Sequence, residues 1–245
     1  MKNTSAIIFA VLLLAILPCT AKANLVSTVE IWNASPGASK PVAVWGGGRE
    51  GVEVYAGAYM FKGTDGSGGG KIWPSGTMSG FCVELEESAP EILSKYTVIP
   101  LEKGPLSGPM GTAKAEYISE LWGRFYEPSW ASGGAYSGKQ NVRAAAFAAA
   151  IWEILYEDLP ASRLKWNVRV DGTVGAGGFH TNFAGSGLAN YWLHTLNGKG
   201  PMADLRILSH DGSQDYIVAV PEPTTVALLG FGSVLSLIRR RRRTT

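Results

Sequence analysis

An α+β fold is what the patterning of this chain predicts, on three observations. From Ser27 to Pro100 short β-branched and aromatic runs alternate with Gly-rich turns. From Thr112 to about Pro160 the apolar period lengthens to that of a helix, and after residue 200 strand-like runs return. The strands read as a β-sandwich or barrel-like sheet carrying a small helical insertion, with a C-terminal transmembrane helix after the folded body.

The candidate strands are Ser27 to Trp32, Val42 to Trp45, Val52 to Phe61, Met78 to Leu85 and Tyr96 to Ile99. In the first helical stretch Tyr117, Ile118, Leu121, Trp122 and Phe125 share one face. A second helix is expected to start near Asn141, an N-cap residue type, and to stop before Pro160. Its stripe runs through Ala144, Phe147, Ala148, Ile151, Ile154 and Leu155, and its alanines favour helix while allowing close approach of a neighbour. Leu188 to Leu196 reads as a short helix, and Leu205 to Leu208 and Tyr216 to Val220 as closing strands. There is no internal repeat.

The ends of the chain differ from its middle. Residues 1–23 read as a secretory signal peptide: Lys2 at the start, an apolar run from Ile7 to Leu17, and small-x-small at Ala21-Lys22-Ala23, predicting cleavage between Ala23 and Asn24. The apolar run is short for a permanent anchor. Pro18 stands where a lipoprotein signal would need a small residue before Cys19. Cleavage removes Cys19 and leaves Cys82 as the single cysteine, so the exported body, residues 24–219, cannot form an internal disulfide. Export machinery and signal peptidase are the partners this implies.

At the other end, Pro221-Glu222-Pro223 precedes 15 uncharged residues, Thr224 to Ile238, and then Arg239, Arg240, Arg241, Arg242 and Arg243. The prolines prevent regular structure and leave an extended segment. As a helix the apolar stretch would cover roughly 23 Å at about 1.5 Å per residue, less than the roughly 30 Å hydrocarbon core. Snorkelling arginines and local thinning can close that gap. Five arginines resist translocation, which places the C-terminus in the cytoplasm and the body outside. Residues 24–221 carry 15 Lys and Arg against 19 Asp and Glu, a net charge of −4, so the body offers no basic face for nucleic acid.

The order Pro-Glu-Pro, apolar helix, Arg cluster is similar to the PEP-CTERM sorting signal, over residues 220–245 with the Arg run ending at Arg243. The resemblance implies processing by an exosortase, passage through the inner membrane, and delivery of the body to the cell surface or extracellular matrix, where extracellular polysaccharide is an expected neighbour.

Several motifs in the body fail on inspection. Gly66 to Lys71 looks phosphate-binding, but Asp65 and Ile72 occupy the positions of the required glycine and hydroxyl residue. Val174 to His180 has two correctly spaced glycines but His180 in the third place, so it is no dinucleotide fingerprint. His180, His194 and His210 are scattered without metal-ligand spacing, and neither a metal nor a cofactor is expected. Glu84, Glu86 and Glu87 suit a cation site or a solvated strand edge equally. A hydrolase built on Cys82 is conceivable, although nothing local to that residue marks it as activated.

One constellation remains. Phe81-Cys82-Val83-Glu84-Leu85 on a strand, with Ala150-Ile151-Trp152 ending a helix, resembles the thioester-domain family of surface adhesins over about residues 52–157. There, a strand cysteine is joined to a glutamine two residues before the helix motif, with loss of ammonia. Cys82 fits the cysteine, but the glutamine position is Ala148, whose methyl group cannot acylate a thiol. Gln140 lies eight residues earlier, roughly 12 Å along a helix axis, and before the expected N-cap. The resemblance therefore implies a thioester-domain-like body whose reactive bond is lost. The expected function is non-enzymatic, an adhesive or carbohydrate-binding surface protein, with a secreted hydrolase as the alternative. The eight tryptophans and nine tyrosines suit a carbohydrate surface or a core.

Overall fold

The computed structural model describes residues 27–221 apart from 74–75, 91, 106–107 and 173–177. Two 19-residue strands dominate it: β1 (Thr28–Gly46) joins what the sequence suggests are two separate short strands, and β2 (Arg49–Ser67) extends the one expected at Val52 to Phe61. They form one antiparallel hairpin, with Gly46 paired to Arg49 across a two-residue turn. Gly47 and Gly48 in that turn both have positive φ, 54° and 69°, the backbone that a tight hairpin matching the strand twist demands of its two central residues. Register shifts at Asn33/Ser35 and Pro36/Ser39 bend the hairpin, as bulges do. Pro36 falls at one of these shifts, and Pro41 falls where β1 pairs with β2 alone among the described strands, so a long strand holds both.

The remaining strands are β3 (Gly76–Cys82), β4 (Ser94–Pro100), β5 (Phe179–Thr181), β6 (Leu205–His210) and β7 (Ser213–Ala219). Pairings run β2-β3-β7-β6-β4-β1, and β1 pairs back to β2, so six antiparallel strands close on themselves. Closure removes the open edges a flat sheet would present. β5 adds to the outer half of β1 at Val44 to Gly46. Of the two expected sheet forms, the barrel is the one observed.

Three helices, α1 (Gly111–Phe125), α2 (Gly138–Tyr156) and α3 (Ser186–Thr195), lie in the chain between β4 and β6. β4 and β6 pair directly, so the helical region is an insertion, as expected. It is not small, because it runs from residue 101 to 204 and supplies a whole layer of the core. α2 begins three residues before the expected start. Ser137 is its N-cap, its hydroxyl accepting from the Gln140 amide while the Gln140 side chain reaches back to the Ser137 amide. Asn141 instead uses its side-chain oxygen to accept from the Ser39 backbone N–H at 3.2 Å, tying the helix to β1.

From Ala144 to Ile154 every residue of α2 is buried, including the alanines. The helix is thus covered on all sides, by the barrel, α1 and α3, and small side chains allow that approach. Phe81 of β3 points into this layer, its ring 4.9 Å from Phe147 and 5.5 Å from Trp122. Trp73, Trp122, Trp130, Trp152, Trp166 and Trp192 are buried, Trp45 is half-buried and Trp32 is exposed. Aromatic richness in this body therefore serves the core more than a surface. A buried carboxylate closes the far side: Glu120 of α1 accepts from the backbone N–H groups of Asn197, Gly198 and Gly200 at 2.7–3.0 Å and from Arg124 at 2.9 Å. Among the described residues no helix is long and apolar enough to cross a membrane. The expected transmembrane helix lies outside the described residues.

Candidate functional site

Alternation along β3 decides where Cys82 goes. Phe81 enters the helical layer, so Cys82 faces the opposite way, toward the Tyr59 and Tyr216 side chains. The thiol is buried at one end of the barrel, beside a cavity of about 180 Å³ that Tyr59, Leu85, Trp152 and Gln214 also line. The Trp152 indole N–H donates to the Cys82 carbonyl oxygen at 3.1 Å, and the Tyr156 hydroxyl accepts from the Leu85 N–H at 2.9 Å. Two side chains one turn apart on α2 thus hold the backbone just after β3.

The cysteine strand and the Ala150-Ile151-Trp152 motif do meet. Ala148 is buried one turn before Trp152 on the same helix face. Gln140 stands in the first turn of α2, inside the helix rather than before it, and its carboxamide is taken up by the cap and by the Ser129 carbonyl. The carboxamide that the cavity holds belongs to Gln214, a residue that sequence spacing does not connect with Cys82. Its Nε2 donates to the Glu84 and Glu87 carbonyls at 2.9 and 3.2 Å, while its buried Oε1 has no hydrogen-bond partner. β3–β7 pairing is what brings it there.

Burial is the main influence on the thiol and pushes it up to about 12, against smaller opposing contributions from hydrogen bonds with Trp152 and Tyr59. Burial likewise pushes the Tyr59 hydroxyl well above its ordinary range. At neutral pH Cys82 is a protonated thiol, a poor nucleophile. No histidine lines this cavity. Glu84, offered by the sequence as part of a cation site or a solvated edge, is buried, and its carboxylate accepts from the Asp215 N–H at 3.1 Å. Among the described residues no group of three or more His, Cys, Asp or Glu is arranged to hold a metal. The histidines stay apart: His180 stacks on Trp45, His194 meets the Trp166 carbonyl and His210 packs on Tyr96.

A second and larger cavity, about 370 Å³, lies at the C-terminal end of α2. Glu153, Glu157, Lys165, Trp166 and Asn167 are among its walls. The apolar-stripe reading passes over it, because Glu153 sits between Ile151 and Ile154 where a solvent-facing carboxylate is the ordinary expectation. The structure buries it instead. Burial chiefly, and the Glu157 and Asp171 charges secondarily, raise its carboxyl to about 8.

The sorting segment starts where the fold stops. β7 ends at Ala219, the Val220 N–H donates to the Asp204 carbonyl at 2.8 Å, and Pro221 is exposed. Glu222, Pro223 and Arg239 to Arg243 lie outside the described residues, as do Ala23 and Asn24. No curated protein and no solved structure matches the chain. Residues 219–243 match the PEP-CTERM protein-sorting motif, which implies an exported protein with an exosortase as its processing partner.

Proposed function

We propose that this chain is a non-enzymatic surface or matrix protein, delivered by its sorting tail and acting through adhesion or carbohydrate binding. The match of residues 219–243 to the sorting motif carries this reading. The position of the motif supports it as well, since Pro221, two residues after the last strand, is exposed. For the body we favour a thioester-domain-like module that has lost its crosslink. Supporting this are the junction of Cys82 with Trp152, the alanine at 148, and a thiol kept protonated by burial.

A strain lacking its exosortase should retain the uncut chain in the inner membrane. Replacing Pro221-Glu222-Pro223 by alanines should do the same while leaving the anchor intact. Unchanged size and unchanged surface delivery in both cases would reduce the tail to a plain anchor. The secreted-hydrolase alternative draws on one observation, the Glu153 and Glu157 side chains lining a single cavity. Polysaccharide cleavage by the purified chain, abolished in Glu157→Gln, would establish it in place of the binding role.

A further inference from the structure

We propose that the cavity at the C-terminal end of α2 is a binding site for a single neutral sugar residue. The inference rests on the binding reading of the body and supplies the ligand class and the place. Size comes first: 370 Å³ is at the lower end of small-ligand pockets, enough for one ring and not for a chain. It is far more than a structural water needs, at roughly 30 Å³ each.

Two of its wall residues each bury a polar atom that lacks a partner. Trp166 is 2% exposed and its indole N–H has no acceptor. Glu153 is also 2% exposed; its Oε1 accepts from the Asn167 N–H at 2.9 Å, and its Oε2 has no partner. An unmet buried polar group costs about 1–3 kcal/mol, so two around one cavity call for a ligand that answers both. A hydroxyl does: its lone pairs accept from the indole, and it can donate to, or accept from, the carboxyl.

The remaining walls narrow the choice. Glu157 and Asp158 outnumber Lys165 among the charged walls and disfavour a phosphate or carboxylate ligand. A cation would be repelled by the indole N–H, and burial keeps the Glu153 carboxyl largely neutral near pH 7. Leu159, Pro160 and Val170 supply apolar surface for the C–H face of a ring. Several hydroxyls on a small apolar frame, without charge, describe a sugar residue better than an ion or a hydrocarbon.

The test uses the full chain labelled with ¹⁵N, its Trp166 indole signal identified by its loss in Trp166→Phe. Methyl glycosides of common hexoses should shift that signal saturably, and calcium chloride and methylammonium chloride should not. Trp166→Phe removes the donor together with the five-membered ring of the indole. It should weaken binding of the same glycosides, followed by calorimetry, by about fivefold or more, in protein whose ¹⁵N spectrum shows it folded. No shift of the Trp166 indole up to ~100 mM glycoside, where even a Kd of about 10 mM is visible, overturns the proposal. A shift with calcium or methylammonium alone also overturns it, in favour of a cation site. Exosortase-dependent processing is scored separately, so a flat titration with normal sorting rejects this site and leaves the sorting assignment standing.

Discussion

Glu153→Gln should make the body more stable at neutral pH, and only there. The wild-type carboxyl is buried, with one oxygen on the Asn167 N–H, and stands at about 8 against an ordinary value of 4.5. The fold therefore favours the protonated acid. Below pH 4.5 the group is neutral in both folded and unfolded chains and costs nothing. As the pH rises from 4.5 toward 8, the unfolded chain releases a proton that the folded one keeps, and stability falls by about 1.4 kcal/mol per unit. At pH 7 the loss amounts to about 3 kcal/mol. Glutamine preserves the shape and the acceptor for Asn167 but cannot ionise. Melting curves of the two proteins should nearly coincide at pH 4–5 and diverge above, the variant melting about 6–12 °C higher at pH 7 for a chain of this size. Parallel pH profiles, or a variant less stable than wild type at pH 7, would refute the buried-acid reasoning.

Three further outcomes are expected. Cys82 should be alkylated slowly in the native protein and at the rate of a free peptide thiol after denaturation, with an intact mass showing no ammonia loss; fast native labelling would contradict its burial. Ala148→Gln should, in some fraction of molecules, lose one ammonia and the Cys82 thiol together. A well-folded variant without that mass loss would count against the thioester-domain-like reading of the body, although a glutamine in an alanine-sized site costs roughly 1–3 kcal/mol. Glu120→Ala should destabilise by roughly 3–5 kcal/mol in chemical denaturation, because three backbone amides and Arg124 lose a shared acceptor. Burial alone would raise the Glu120 carboxyl, but these bonds outweigh it and hold the group below its ordinary value. Its contribution is therefore present above pH 4.5 and lost as pH falls through the lowered value.

The sorting tail was legible from the sequence because its physics is linear. Prolines, an apolar run and an arginine cluster act in the order in which they are written, and no folding is needed to bring them together. Local periodicity likewise identified the region of α1, α2 and α3, because a helix is built from contacts three and four residues apart. The strands were legible in fragments only. β1 and β2 run on past Pro36 and Gly57, where a bulge interrupts alternation, and β5 is three residues long and exists by virtue of pairing with β1. Barrel closure, the placement of Gln214 beside Cys82 and the burial of Glu153 were decided by tertiary structure alone. Each depends on residues that are distant along the chain: Cys82 and Gln214 are joined through β3–β7 pairing, and Glu153 is closed in by the segment carrying Trp166 and Asn167. A carboxylate beside an apolar stripe reads the same in sequence whether solvent or another segment lies above it, and only the packed fold distinguishes the two.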